Sequence, residues 1–400
     1  MGSPAGQPGW GACQVSALQK LDFNRDRFVQ DMSHDLRFHW MLPKSGEVSP
    51  GEQQTPQAAA RFRIESSNIG SPAARPEMEG WVHFARQAEK AGIESVLVAL
   101  NRYEPDPLIV SCALGQATEK LKFIAAYRSG LMQPTTFVQQ VNTLSGLIKG
   151  RIDLNIVAGS STQEQHCYGD FLEHDERYAR AGEFLAVCNA FWRANGDVDF
   201  AGKYYRVERG KLHTPFLAPD RTAPEIYISG HSEASEKLAY SQGTCWLRVA
   251  ETPEKLQPVV ARAREQGIRI CLRLGLICRP TREEAVAAAQ SLLPENRNES
   301  TITLKDDSQM YREGAAVASD AFWVNHSLWA GLVPHYGPVW TVLLGSPQEL
   351  ADAFLEYKKI GVSEFIISGW PELDTVETFG REVLPLVRQA ERLLRTAANG

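Results

Sequence analysis

The chain has 400 residues, 43% of them apolar and 22% charged, which is enough to bury a large core. Its formal net charge of −6 argues against nucleic acid or an anionic membrane surface as the main partner. The seven cysteines include no CxxC pair, so neither a metal site nor a disulfide framework is supported, and no apolar run is long enough to span a bilayer.

Residues 1–34 show little periodicity and read as a leader. The opening MGSPAGQPGWGACQ lacks the basic and apolar regions of an export signal, so the cytoplasm is the expected location. Leu36–Leu42 is a short apolar run ending at Pro43, a first strand. Residues 43–78, rich in Gly, Pro, Ser and Gln, form a long insertion loop of a kind that is often functional. Strands and helices then alternate. Helix Trp81–Ala91 leads to strand Ser95–Ala99, and helix Pro107–Thr118 to strand Leu121–Ala126. Helix Thr135–Lys149 precedes strand Arg151–Val157, and helix Tyr178–Ala194 precedes a hairpin over Val198–Val207. Strand Glu225–Ser229, helix Ser232–Ser241, strand Thr244–Val249 and helix Pro253–Gln266 follow. Strand Ile268–Ile277 and helix Arg282–Leu293 come next, before residues 294–345 interrupt the rhythm as a second insertion. Helix Pro347–Ile360, strand Glu364–Ser368 and helix Val376–Leu394 close the pattern. Continuous rather than alternating apolar strands are buried on both faces, which implies a parallel sheet. Eight such units favour an α/β (β/α)8 barrel, with residues 35–395 as one domain.

Within this frame Leu154–Tyr178 reads as strand, small-residue turn, loop and helix start. Asn155 and Gly159-Ser160-Ser161 lie where a buried strand ends, and His174, Glu176, Arg177 and Tyr178 crowd the next helix entrance. Backbone N–H groups and hydroxyls at such a strand end suit a phosphate or another anionic cofactor group. Ser232, ahead of a helix, is either a plain N-cap or part of an anion site. His39, on the first strand, is either an acid/base group or a hydrogen-bonded core histidine. For Glu176 and Arg177 a local ion pair competes with a ligand role.

The ordered motifs resemble those of the bacterial luciferase-like flavin monooxygenases, closest to the alkanesulfonate monooxygenase branch. They run from Trp40-Met41-Leu42-Pro43 through Ala126-Tyr127-Arg128, Gln133-Pro134-Thr135 and Gly150-Arg151 to Asn155-Ile156-Val157-Ala158-Gly159-Ser160. His174-Asp175-Glu176-Arg177-Tyr178, Ser229-Gly230-His231-Ser232, Leu328-Trp329-Ala330-Gly331, Val342–Gly345 and Ser368-Gly369-Trp370-Pro371 follow in the same order. The resemblance spans Phe38 to about Leu394 and implies a TIM-barrel enzyme. It further implies that FMN, reduced by a separate flavin reductase, forms a C4a peroxide with O2 and oxygenates a small organic molecule. Homodimers or homotetramers are the implied assemblies.

By the same resemblance Gly230, His231 and Ser232 form the phosphate turn, with the Tyr178 hydroxyl reaching the phosphate. Ala158, Gly159 and Ser160 lie beside the flavin ring, where small residues admit close approach. Asn155 either bonds the flavin's polar edge or is a satisfied core side chain, and Tyr127 and Arg128 are placed for ring contacts. Arg273 matches an active-site arginine whose guanidinium can hold an anion or act catalytically by steadying the flavin peroxide. Arg312 falls in the segment where the family carries a mobile lid, and Trp40 belongs to the pocket wall. Glu104 stands where the sulfonate enzymes have a cysteine, Gly275 where they have a histidine and Trp370 where they have a tyrosine. Those changes argue against a simple alkanesulfonate, and Glu104 can bind an amine or act as a catalytic base; the long 43–78 loop with this altered polarity points to a larger natural-product or carrier-bound substrate. The rival readings are a reductase or dehydrogenase using the deazaflavin F420 and a non-catalytic flavin-binding protein.

Overall fold

The structure is a computed structural model that describes residues 34–43, 78–102, 104–159, 162–193, 196–293, 323–336, 340–369 and 372–398. The leader 1–34, apart from His34, most of the two insertion loops, and Ser160, Arg312 and Trp370 lie outside the described residues. Asp35–Gly400 form one compact unit. Among the described residues no helix is long and apolar enough to cross a membrane.

The strands are β1 (Arg37–Met41), β2 (Ser95–Val98), β3 (Lys122–Tyr127), β4 (Ile152–Ile156), β5 (Val198–Ala201) and β6 (Arg206–Gly210). β7 (Ile226–Ser229), β8 (Cys245–Val249), β9 (Arg269–Cys278), β10 (Leu328–Trp329), β11 (Val342–Gly345) and β12 (Glu364–Gly369) complete the set. β1, β2, β3, β4, β7, β8, β9 and β12 pair in parallel in that order, and β12 pairs back onto β1 to close the barrel. β5 and β6 form the expected separate hairpin. Leu97, Ile124, Tyr227, Cys245, Leu247, Cys271 and Ile366 come from six different strands and pack together, which places them inside the ring. Alternate residues such as Phe38, Trp40, Phe123 and Phe365 pack outward beneath the helices.

The N-terminal mouth of the barrel is closed by ion pairs, because charged residues occupy the starts of several strands. Glu364 Oε1 lies 2.6 Å from Arg269 Nε and 3.1 Å from Arg37 Nη1. Its Oε2 accepts from Tyr227 at 2.7 Å and lies 3.1 Å from His39 Nε2. Glu225 pairs with the same two arginines at 2.6 and 3.0 Å, and Glu94 pairs with Arg37 and Lys122 at 3.0 and 3.1 Å. Burial alone would raise the Glu364 carboxyl, but Arg37, Arg269 and the His39 bond hold it well below the usual carboxylate range. Glu225 is likewise opposed by burial and is drawn down to about 2 by Arg269 and Arg37.

Four local expectations change. The helix after β4 is His174–Arg193, four residues longer at its start, with Asp175 and Glu176 complementing its N-terminus. The stretch before it, read as a loop, contains the short helix Thr162–Cys167. The second insertion contributes β10 and β11, and β11 extends the sheet beside the last four residues of β9. The final helix is interrupted by a π turn at Phe379–Val383, directly ahead of Pro385, whose ring cannot follow an unbroken α-helix.

Candidate active site

In a barrel of this kind the strand C-termini and the loops after them form the working face. The turn after β7 is the most tightly specified part of that face. Gly230 has φ +143°, and a Cβ there would lie 2.5 Å from the Tyr178 hydroxyl and 2.7 Å from Ser235 Cβ. Only glycine brings the backbone this close. The Tyr178 hydroxyl donates to the Ser229 carbonyl at 3.2 Å. Trp246 Nε1 donates to the Gly230 carbonyl at 2.8 Å, and the Val249 N–H donates to His231 Nε2 at 2.9 Å. The Ser232 hydroxyl accepts from the Ser235 N–H at 3.3 Å and caps helix Glu233–Gln242. The capping reading of Ser232 is the one these bonds show. It caps the helix, and the cap aims the helix's first N–H groups at the spot beside Tyr178. Burial pushes the Tyr178 phenol up to about 12, against bonds to Ser232 and Ser235, so it stays a hydrogen-bond donor near neutral pH.

At the end of β4, Asn155 is buried and its Oδ1 accepts from the Ser229 hydroxyl at 2.7 Å. Gly159 has φ +86°, and the Gln165 amide packs directly against it where a side chain would sit. Arg177 is 3% exposed, and its Nε and Nη1 donate to the carbonyls of Ala158 at 2.9 Å and Leu172 at 2.7 Å. It therefore fixes the turn from behind, while Glu176 forms a surface pair with Lys203 at 2.7 Å.

The end of β3 separates two neighbours. Tyr127 turns outward, with its ring 4.2 Å from Phe137 and 6.1 Å from Phe184. Arg128 is 6% exposed, and its Nη2 pairs with Glu164 at 3.0 Å. Its guanidinium lies 5.2 Å from the Tyr168 ring centre. Its Nε and Nη1, like Gln165 Nε2, are buried donors with no hydrogen-bond partner among the described residues. Glu164 also accepts the Arg102 N–H at 3.1 Å, and half-buried Glu104 follows on the same loop.

On the opposite side Arg273 emerges from β9 into the ring. Its Nη2 donates to Ser368 Oγ at 2.6 Å, and its Nη1 donates to the carbonyls of Leu274 and Ile366 at 2.8 and 3.3 Å. Its guanidinium lies 5.9 Å from the Trp340 ring. A Cβ at Gly275 would come within 2.9 Å of Val342 and 3.5 Å of Trp340, so the missing side chain there is what admits these two.

Three expected site residues lie elsewhere. His39 is 1% exposed and bonded to Ser95 and Glu364 in the ion-paired N-terminal layer, so it is a core histidine away from the working face. Trp40 is fully buried on the outer side of β1 and donates to Glu372 at 2.8 Å, so it does not wall the pocket. Tyr127 belongs to the layer between strand and helices and does not face a ring inside the barrel. Gln165, Trp246 and Trp340 lie at this end and carry no motif of their own in the sequence, whereas Ser368 opens the Ser368-Gly369-Trp370-Pro371 motif without an assigned role there.

The residues that remain fit a flavin phosphate: a glycine turn too tight for any side chain, a buried protonated phenol, and a capped helix start. The partnerless donors of Arg128 and Gln165 add demand for acceptor atoms nearby.

A family model described as luciferase-like monooxygenase matches residues 37–364. The structure is similar to that of the EDTA monooxygenase EmoA from Chelativorans sp. BNC1, with TM-score 0.68 and 19% identity over 89% of this chain and 94% of that one. It is similar to the long-chain alkane monooxygenase LadA, with TM-score 0.67 and 20% identity over 89% and 92% of the two chains. It is also similar to an F420-dependent secondary alcohol dehydrogenase, with TM-score 0.58 and 19% identity over 88% and 99%. At these identities the likeness of the solved structures concerns the fold.

Proposed function

This chain belongs to the luciferase-like monooxygenase family and is a flavin-dependent monooxygenase; from that premise we propose that it is the oxygenating half of a two-component system. It takes FMN already reduced by a separate reductase and consumes O2. Bound reduced flavin supplies the oxygen activation. The observation that carries this reading is the Gly230–Ser232 turn with the Tyr178 hydroxyl over it. That turn offers one dianion the helix N–H groups and, once it swings from the Ser229 carbonyl, the Tyr178 hydroxyl. Asn155 and Ser229, joined at 2.7 Å, offer a further polar pair one strand away. Arg177 keeps the Ala158–Gly159 turn in place without touching the ligand.

On the substrate side Arg273 orients a polar or anionic group, held in position by Ser368 and Ile366. The space above Gly275 is taken by Val342 and Trp340, and Glu104 adds a carboxylate to the rim. A compact alkanesulfonate suits this rim less well than a larger organic molecule, such as a natural-product or carrier-bound intermediate. Trp340, its ring centre 5.9 Å from the Arg273 guanidinium, shields that side of the site from water.

Replacing Tyr178 by Phe and Ser232 by Ala together is expected to weaken reduced-FMN binding without unfolding the chain. Anaerobic fluorescence titration with a thermal melt reads both, and unchanged affinity removes the phosphate assignment. Oxygen uptake that requires reduced FMN and an organic substrate is expected in a screen read by mass spectrometry. Turnover of F420 without oxygen uptake would instead select the dehydrogenase chemistry.

A further inference from the structure

We propose that Met41 walls the substrate space from β1, and that its thioether is the group the enzyme itself oxidises, to the sulfoxide, when no organic substrate fills that space. The inference rests on the flavin reading above. Met41 packs against the cluster inside the ring that contains Leu97, Ile124, Leu247 and Ile366. It is the register partner of Leu97 on β2. Trp40, one residue earlier, is fully buried on the outer side against Phe379. The pleat of β1 therefore turns Trp40 out and Met41 in.

Depth places Met41 at the working face. His39, two residues earlier on the same inward side, is bonded into the ion-paired layer and is covered. Leu97 and Ile366, around Met41, are buried, whereas Met41 is half-buried. Its exposed part thus faces the C-terminal opening. Trp40 pairs with Ile367, so Met41 comes level with Ser368, whose own partner is Gly275. Adjacent strands lie about 4.8 Å apart. One strand spacing therefore separates Met41 from the serine that accepts from Arg273 at 2.6 Å. A substrate whose polar end is held at Arg273 rests its apolar part on Met41.

A thioether is polarizable and is readily oxidised by peroxide. Oxygen that finds no organic acceptor takes two electrons and two protons from the reduced cofactor and becomes hydrogen peroxide inside the pocket. The Met41 sulfur gives an electron pair to one peroxide oxygen and the O–O bond breaks. The other oxygen leaves as water with both protons. Sulfur is oxidised by two electrons and peroxide is reduced by two. Met78, which opens helix Met78–Lys90, and Met132, after β3, are also half-buried but pack on the outer layer. They meet only peroxide that has diffused away.

The test is aerobic incubation of the full chain with reduced FMN and catalase, without organic substrate, followed by tryptic digestion and tandem mass spectrometry. Phe38–Lys44 is one tryptic peptide and holds both Trp40 and Met41, so its fragments locate an added oxygen. Met41 sulfoxide is expected to exceed the Met78 and Met132 sulfoxides about tenfold or more, with Trp40 unaltered. Reagent hydrogen peroxide without FMN or catalase is expected to reduce that preference to about threefold or less. Met41→Leu, which conserves volume, is expected to leave the peptide without added oxygen. Oxygen on Trp40 in place of Met41, equal yields at the three methionines, loss of the Met41 product in catalase, or the same preference from reagent peroxide each overturns the proposal. Failure of the unaltered chain to bind reduced FMN in an anaerobic titration would instead remove the flavin reading on which it rests.

Discussion

The two ends of the barrel solve the problem of buried polar groups in opposite ways. At the N-terminal mouth Arg37, Arg269, Lys122, Glu94, Glu225 and Glu364 are paired with one another, with Tyr227 and His39 filling the remaining bonds of Glu364. At the C-terminal rim Arg128 and Gln165 keep buried donors with no acceptor among the described residues, and Gly230 holds a positive-φ conformation packed against Tyr178 and Ser235. The first end is finished by the protein itself. The second, on the proposed reading, is where flavin binds. Changes at the N-terminal end should therefore act on stability and leave flavin affinity alone, and changes at the rim should do the reverse.

The largest expected effect is at Glu364. Glu364→Gln removes the buried carboxylate from two half-buried arginines, and breaking a buried pair costs about 3–5 kcal/mol, an upper range here. Urea unfolding should show that loss, while the folded fraction keeps its reduced-FMN affinity. Acid sharpens the same contrast. Glu364 and Glu225 are held below their ordinary value near 4.5, so they are charged in the folded chain at pH values where the unfolded chain has protonated them. Their stabilisation is complete above about pH 4.5 and is lost as pH falls towards the folded-state values. Unfolding free energy should drop through that window, and Glu364→Gln should flatten the drop.

At the rim the order of effects follows the geometry. Gly230→Ala forces a side chain into the Tyr178 hydroxyl at an unfavourable φ, at a cost of about 1–3 kcal/mol. That cost is expected to appear as a rise of roughly tenfold or more in the reduced-FMN Kd. Tyr178→Phe removes one neutral donor and should cost about 1 kcal/mol in the same titration. If Gly230→Ala lowered the melting temperature without moving Kd, the contrast between the two ends would fail.

Much of the barrel was legible because its strands are short apolar runs and its helices carry local signals. Ser346, Pro347 and Glu349 make a capping box ahead of Pro347–Ile360, and Gly361 ends that helix at φ +100°. The helix start at Ser232 was legible too, as an N-cap candidate ahead of an apolar-periodic run. Facing was harder to read. Tyr127 and Arg128 are adjacent, and which of them enters the barrel depends on the pleat, a phase that an all-apolar strand does not reveal. Depth was equally hidden for His39, since a polar residue midway along a short strand can reach either mouth, and Glu364 decided which. Gln165 sits on a short helix with no periodic signal, and Trp340 reaches Arg273 across a long separation in sequence.

The most direct measurement is an anaerobic titration of the purified chain with reduced FMN, run in parallel on Glu364→Gln and Gly230→Ala. Saturable binding by the unaltered chain, preserved in Glu364→Gln and weakened in Gly230→Ala, is the expected result. Absence of binding, or binding indifferent to Gly230, would contradict a flavin site at the C-terminal rim.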